Sequence, residues 1–279
     1  MMYKAKSYYK RFGFGLFIIK IICKIFFMKS EIEKYKELVW DKVKERYGLE
    51  VAFGPFKGMK LSPNAWWSKK NMTAQVLGIY ESNVIFELEN YAGKFSNFID
   101  IGAADGYYAV GSVFNGMYKN SHAFEINELG RKTILETAKI NNCEKQISIY
   151  GEANSSKIRD IIKKDGSALV IIDIEGGEFD LLSEDMLNSL RQCVVICELH
   201  PFMFSDGANK LSSLVKRCDR SFEISFNHRK IYQFPECDLL DTLPDDARLL
   251  AFSEGREAAM QWMILVPKTE NSRRQQTGV

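Results

Sequence analysis

The residues of this 279-residue chain with the clearest chemical signature stand where predicted strands end. A predicted buried strand that begins at residue 98 ends in Asp100, and the chain then turns through Gly102 and Gly106 into a helix-like stretch. A strand entering a tight βα loop needs residues without a Cβ, so both glycines let the backbone bend and approach a ligand closely. The sequence therefore predicts a ligand site at this turn.

A second carboxylate indicates the kind of ligand. Residues 121–124 form a short apolar strand-like segment ending in Glu125, nineteen residues beyond Gly106. Doubly wound folds place at about this distance the carboxylate that accepts hydrogen bonds from ribose hydroxyls. We therefore expect a nucleoside, and the alternative is a purely structural turn without a ligand.

The spacing of the loop residues separates two classes of nucleoside. The loop from Gly102 to Gly106 lacks the G-x-G-x-x-G pattern that admits a pyrophosphate at a helix N-terminus. Its Asp105 would repel a pyrophosphate, but this carboxylate can accept hydrogen bonds from an ammonium group or a hydroxyl. S-adenosylmethionine carries a ribose, an amino group and no phosphate, so it fits this loop better than NAD.

Strand-like and helix-like segments alternate through the following residues. The apolar runs 168–174 and 194–199 do not alternate with polar residues, which is typical of strands buried on both faces of a parallel sheet. Helix-like stretches are predicted at 73–91, 128–141, 156–164 and 178–190. This order predicts right-handed βαβ crossovers, which bring the residues at the strand ends into one crevice.

Two segments carry a family resemblance. Residues 171–178, IIDIEGGE, and residues 197–201, CELHP, resemble class I S-adenosylmethionine-dependent methyltransferases and, within them, the FkbM-like branch. Segments 54–59, 77–81 and 253–256 extend the resemblance over roughly residues 53–267, although Ala104 stands where this class commonly has glycine. The resemblance implies a Rossmann-like methyltransferase α/β sheet, mostly parallel with an antiparallel C-terminal hairpin, and an N-terminal helical cap.

The resemblance also implies roles for individual residues in binding S-adenosylmethionine. The methionine end is assigned to Asp100, Gly102, Asp105 and Gly106, and the ribose to Glu125. The adenine edge is assigned to Glu152 and Ala153, although Glu152 is equally well explained as a solvent-exposed residue. Tyr107 and Asp173 complete the predicted cofactor contacts, although burial in the cap interface explains Tyr107 equally well.

Two residues compete as the group that takes a proton from the methyl acceptor. His200 stands at a strand end and has an ordinary pKa close to neutrality, but a histidine before a proline often only orients its neighbours. Asp173 is the alternative. Asp173, Glu175 and Glu178 could instead hold Mg²⁺, yet Glu175 and Glu178 also suit the first turn of a helix, so we predict no metal.

Substrate contacts are predicted at Trp66, Trp67 and Arg256. Indole faces stack well on sugar rings, and an arginine can reach an acidic group. The alternatives are core packing of both tryptophans and bracing of the C-terminal turn by Arg256. We expect O-methylation of a small-molecule or saccharide hydroxyl; N- or C-methylation of a metabolite and an inactive membrane-attached scaffold that binds the cofactor are the alternatives.

Charge is distributed unevenly along the chain. Residues 1–30 contain seven basic residues and no acidic residue, which leaves 31 basic against 36 acidic residues in the remainder. Binding of nucleic acid by the body of the protein is therefore not expected. The six cysteines are scattered, and no close pair suggests a disulfide or a zinc site, so we expect a reducing, cytoplasmic location.

The basic N-terminal segment is also strongly apolar. Residues 12–27 would span only about 24 Å as a helix, less than the hydrocarbon core of about 30 Å. We expect an in-plane anchor at the inner face of the membrane, and the alternatives are packing on the protein itself or on a second subunit, an uncleaved signal, or a strained span. The predicted organisation is an arm at 1–30, a helical cap at 31–95, a methyltransferase domain at 96–267 and a disordered tail at 268–279.

Overall fold

The computed structural model describes residues 31–66, 72–228, 235–253 and 260–268. The strands are β1 (Asn97–Ile101), β2 (Asn120–Phe124), β3 (Ile147–Tyr150), β4 (Ala168–Ile172), β5 (Val194–Leu199), β6 (Phe222–His228) and β7 (Gln261–Pro267). The helices are α1 (Glu31–Tyr47), α2 (Met72–Val76), α3 (Ser82–Tyr91), α4 (Tyr107–Phe114), α5 (Glu128–Ile140), α6 (Ser155–Asp165), α7 (Glu178–Leu181), α8 (Glu184–Ser189), α9 (Gly207–Cys218), α10 (Asp238–Asp241) and α11 (Asp245–Ala251).

The seven strands form one sheet in the order β3-β2-β1-β4-β5-β7-β6. The first five strands are mutually parallel, and β7 runs antiparallel to both β5 and β6. This arrangement confirms the predicted sheet with its antiparallel C-terminal hairpin. Because the chain builds outward from β1 to β3 and then returns to β4, a crevice opens between β1 and β4 at their carboxyl ends.

Two predicted helices are each divided in the structure. The stretch 73–91 ends its first helix at Val76 because Gly78 adopts a left-handed φ of 68° and a Cβ there would lie 2.0 Å from the carbonyl oxygen of Phe53. The stretch 178–190 is interrupted at Ser183, whose hydroxyl accepts a hydrogen bond from the backbone N–H of Met186 and caps a new helix. A hydrophobic periodicity alone does not reveal such breaks.

The helices that precede the sheet are packed onto it. Buried residues of this region, Val39, Phe56 and Leu88, share one hydrophobic core with Phe98 of β1. Gly111 of α4 leaves the space for this docking, because a Cβ there would lie 2.6 Å from the Phe56 ring. The cap therefore has no separate core of its own, while the exact division between cap and domain stays a prediction.

Several predictions fall outside the described residues. They concern the arm at 1–30, Trp67, Arg256 and the tail beyond Lys268. Among the helices that the structure describes, none has the length and apolar character needed to cross a membrane. The five described cysteines are buried and form no disulfide.

The end of β1 lies directly against the residue that follows β4. Gly102 has a φ of 92°, and a Cβ on it would lie 1.8 Å from the carbonyl oxygen of Asp173. The backbone N–H of Asp173 in turn donates to the carbonyl oxygen of Ile101 at 2.9 Å. Gly102 is therefore required by the meeting of two backbone segments, and this contact fixes the positions of the carboxylates around the crevice.

We predict that Gly102→Ala destabilises the protein more strongly than Gly116→Ala. Both glycines have a positive φ, but no atom lies within 4 Å of a Cβ at Gly116. Gly116→Ala, the control, should lower the free energy of unfolding by only about 1–2 kcal/mol, because alanine is strained at a left-handed φ. Gly102→Ala should lower it by about 1–3 kcal/mol more, because its Cβ also overlaps the Asp173 backbone. Equilibrium unfolding in urea measures both, and equal losses would contradict the close contact.

Candidate active site

A cleft of about 580 Å³ lies at the carboxyl ends of β1, β2 and β4. Seven carboxylate residues line it, and no lysine, arginine or histidine is among its described lining residues. The acidic lining residues are Asp100, Asp105, Glu125, Glu152, Asp173, Glu175 and Asp180. The remaining wall is largely aromatic and aliphatic, so the cleft brings carboxyl groups together beside apolar side chains.

Glu125 is fixed by the loop that follows β1. One carboxylate oxygen accepts the backbone N–H of Ala104 at 2.9 Å, and the other accepts the backbone N–H of Asn127 at 2.7 Å. Gly130 leaves the space for this side chain, since a Cβ there would lie 2.6 Å from Cγ of Glu125. Each carboxylate oxygen has a further lone pair, so Glu125 can still accept hydrogen bonds from a ligand.

Asp105 has a structural partner in the cap. Its Oδ1 accepts the backbone N–H of Trp66 at 3.1 Å, which ties the segment before α2 to the loop after β1. Asp105 and Trp66 both line the cleft, as predicted for a cofactor contact and a substrate contact, and both roles stay predictions. Gly106 does not line it; this glycine instead faces Ile134, whose Cγ1 would lie 3.1 Å from an added Cβ.

Asp100 and Asp173 are the two most strongly perturbed acids of the cleft. Burial, together with the nearby carboxylates of Asp173 and Glu125, raises the pKa of Asp100 to about 8, although a hydrogen bond from the backbone N–H of Ala109 opposes this shift. Burial also raises the pKa of Asp173 to about 6, although His200 counteracts this. One oxygen of each side chain, Oδ2 of Asp100 and Oδ1 of Asp173, has no hydrogen-bond partner among the described residues.

His200 lies behind the wall of the cleft and is only 1% exposed. Burial lowers the pKa of its imidazole, but the hydrogen bond to Glu178 and the charges of Asp173 and Glu175 outweigh burial, so the pKa is raised. The ring does not line the cleft, whereas Asp173 does. Of the two predicted proton acceptors, only Asp173 therefore lines the cleft, and the proton-accepting role of either residue stays a prediction.

The role of Glu178 in the site was not predicted from the sequence. It is fully buried, and its carboxylate accepts the backbone N–H of Gly176 at 2.8 Å and the backbone N–H of His200 at 2.7 Å. Its Oε1 also lies 3.3 Å from Nδ1 of His200. Glu178 thus stabilises the turn after β4 and orients His200, which the sequence interpretation as a helix-dipole residue did not foresee.

Two further acids lie beside Asp173. Glu81 and Glu198 each bring a carboxylate oxygen within 4.8 Å of Asp173, and both side chains are buried. Tyr108 donates its hydroxyl proton to Glu81 at 2.6 Å, so an aromatic residue of the cleft wall holds this acid. Glu198 stands in the CELHP segment, which was the only sequence signal for its presence here.

Apolar side chains also line the cleft. Phe124, Ile126, Ala153 and Leu181 line it together with Glu152. Glu152 is exposed, as its alternative interpretation allowed, while Ala153 is partly buried. Tyr107, a predicted cofactor contact, lines the cleft and donates its hydroxyl to the carbonyl oxygen of Gln75 at 3.3 Å.

No family model matches the chain, and no curated protein matches it. A putative O-methyltransferase from Klebsiella pneumoniae is 8% identical with a TM-score of 0.45, over 90% of this chain and 96% of that one. The human methyltransferase 10 domain containing protein is 13% identical with a TM-score of 0.45, over 85% and 97%. TYW2 of M. jannaschii, solved in complex with AdoMet, is 14% identical with a TM-score of 0.43, over 75% and 80%. At such low identities and TM-scores, none of these likenesses assigns a family or an activity to the chain.

The raised pKa of Asp100 predicts how ligand-free stability depends on pH. The folded protein keeps the Asp100 proton up to about pH 8, while the unfolded chain loses it near its ordinary pKa of about 4. The contribution of protonated Asp100 to the free energy of unfolding is therefore fully present below about pH 4 and is lost as the pH rises towards 8. Asp100→Asn cannot ionise, so its melting temperature should fall less between pH 5 and pH 8.

Thermal denaturation at pH 5, 6, 7 and 8 measures this difference. The fall in melting temperature should be smaller in Asp100→Asn than in the unsubstituted protein by at least about 2–4 °C, which corresponds to about 1 kcal/mol. Glu144→Gln removes an exposed carboxylate that follows α5 and precedes β3, and it should keep the original pH profile. Parallel curves for Asp100→Asn and the unsubstituted protein would show that Asp100 ionises normally.

Proposed function

We propose that the chain is an S-adenosylmethionine-dependent methyltransferase of the FkbM-like branch that methylates a hydroxyl of a small molecule or saccharide. The observation that carries this proposal is the seven-carboxylate cleft, with no basic side chain among its described lining residues. A site of this charge favours a cation and disfavours an anion.

The charge of the cleft matches the charge of S-adenosylmethionine. Its sulfonium and its α-ammonium are two positive centres, whereas NAD carries a pyrophosphate that the same acids would repel. Bringing a cation beside Asp100 and Asp173 would stabilise their ionised forms, which burial disfavours in the empty cleft. The electrostatics therefore support the predicted cofactor on grounds independent of the resemblance.

The shape of the cleft supports an orientation for this cofactor. Glu125 lines the cleft at the end of β2 and is held by two backbone N–H groups, so it suits the ribose hydroxyls. The apolar lining residues Phe124, Ile126 and Leu181 suit the adenine. The methionine part then lies near Asp100, and the transferable methyl group points towards Asp173.

Methyl transfer in this orientation is an in-line displacement. The acceptor oxygen forms a bond to the methyl carbon, the carbon–sulfur bond breaks, and sulfur keeps the electron pair and becomes a neutral thioether. The hydroxyl proton leaves the acceptor oxygen for a carboxylate at this end and then for water. Acids also hold an amine in its ammonium form, which lacks a lone pair, and this favours a hydroxyl over an amine as acceptor.

Isothermal titration calorimetry with a ligand panel tests the cofactor. We expect S-adenosylmethionine and sinefungin, an analogue with an amine in place of the sulfonium, to bind more tightly than neutral 5′-methylthioadenosine. NAD should show no binding, because its phosphates would meet seven acids and no basic side chain among the described lining residues. Preferential binding of NAD would overturn the proposal, and cofactor binding without methylation of any acceptor in a hydroxyl and amine panel would instead support an inactive scaffold.

We predict that Glu125→Gln weakens S-adenosylmethionine binding about 10- to 100-fold. The amide cannot accept hydrogen bonds at both ends, so it loses either a ribose hydroxyl or a backbone N–H of the loop after β1. Circular dichroism and a melting curve establish that the variant is folded, and Glu144→Gln serves as the exposed control. An unchanged dissociation constant for Glu125→Gln would place the ribose elsewhere.

A further inference from the structure

We propose that Asp173, Glu175 and His200 form a binding site for a divalent transition-metal cation, Mn²⁺ or Zn²⁺, beside the methyl-transfer end of the cleft. Nε2 of His200 lies 3.6 Å from Oδ1 of Asp173 and 3.7 Å from Oε2 of Glu175. All three ligand atoms lie within 4.8 Å of one another. This proposal reverses the expectation from the sequence that the site holds no metal.

Hydrogen bonding determines which nitrogen of the imidazole faces Asp173 and Glu175. Oε1 of Glu178 lies 3.3 Å from Nδ1 of His200 and also accepts the backbone N–H of the same residue, so Nδ1 carries the ring proton and donates a hydrogen bond to Glu178. Nε2 is then left facing Asp173 and Glu175, and it has no hydrogen-bond partner among the described residues. A nitrogen lone pair that faces two carboxylates is repulsive unless a positive charge lies between them.

The distances from Nε2 to the two carboxylates indicate which positive charge fits between them. A proton on Nε2 would draw a carboxylate oxygen to about 2.7–2.9 Å, the usual length of a charge-assisted hydrogen bond. The observed separations of 3.6 and 3.7 Å are too long for that bond. Ligand atoms about 2.0–2.2 Å from a tetrahedral ion lie about 3.3–3.6 Å apart, so the observed spacing is closer to a metal site.

The surroundings of the imidazole also suit a metal ligand. A histidine that binds a metal commonly donates its other ring N–H to a carboxylate, and Glu178 supplies this carboxylate from a fully buried position. His200 is 1% exposed and cannot rotate away freely, whereas the Glu175 side chain is 54% exposed and leaves one side of the site open. One nitrogen and two carboxylate ligands suit Mn²⁺ or Zn²⁺ better than Mg²⁺ or Ca²⁺, which prefer oxygen alone.

An open coordination position here would face the acceptor. A cation at this point would bind the acceptor oxygen, lower the pKa of its hydroxyl and orient it towards the methyl group. In that arrangement Asp173 holds the cation instead of taking the proton. This catalytic role rests on the proposed methyl transfer, but the existence of the metal site does not.

The test is a metal titration of the full chain, untagged and stripped with EDTA. We expect one saturable Mn²⁺ site per chain, measured by electron paramagnetic resonance of free Mn²⁺, with Zn²⁺ competing for it. Pulsed measurements on bound Mn²⁺ should show ¹⁴N coupling from His200. The absence of saturable binding, or a signal without nitrogen coupling, would overturn the proposed ligands.

Matched variants locate the site without depending on a buried substitution. Glu175→Gln changes an exposed side chain and should weaken Mn²⁺ binding at least about tenfold, whereas exposed Glu144→Gln should bind like the unsubstituted protein. His200→Gln, if circular dichroism shows it folded, should lose the nitrogen coupling. Unchanged affinity in Glu175→Gln would overturn the site.

The two proposals fail separately. S-adenosylmethionine binding is measured in EDTA, and metal binding is measured without S-adenosylmethionine. Metal binding without cofactor binding would overturn the proposed function alone, and cofactor binding without metal binding would overturn the metal site alone.

Discussion

The concentration of carboxylates at one edge of a parallel sheet is the constraint on which the site depends. Strands β1, β2 and β4 run in the same direction, so the acids at their ends, Asp100, Glu125 and Asp173, face one cleft. Burial of like charges is unfavourable, and it raises the pKa of Asp100 and Asp173. Ionising these two acids is therefore unfavourable in the empty cleft, and a positively charged ligand would reduce that cost.

Fixed hydrogen-bond donors keep this arrangement stable in the absence of a ligand. Glu125 accepts two backbone N–H groups, and Glu178 accepts two more while it orients His200. Tyr108 holds Glu81 in the same way. Asp100 and Asp173 each keep a buried oxygen without a hydrogen-bond partner among the described residues, so a cation beside them would stabilise their ionised forms.

Sequence reasoning was accurate for long segments and weak where tertiary contacts interrupt them. The strand at 194–199 was predicted with its exact bounds, and the helices at 128–141 and 156–164 were within one residue at each end. The breaks at Gly78 and Ser183 were missed because they depend on a backbone contact and a local cap. The sequence explained Gly102 by a tight turn and the close approach of a ligand. The structure adds a further reason, because the backbone of Asp173 occupies the space that a Cβ would need.

The sequence by itself determined the alternation of strands and helices and the presence of an acid at the end of each central strand. Apolar runs and short loops carry that information locally. Only the tertiary structure decided that His200 lies behind the cleft wall, that Glu178 orients it, and that Glu81 and Glu198 join Asp173. These relations join residues far apart in the chain, and neither spacing nor composition contains the distances between them.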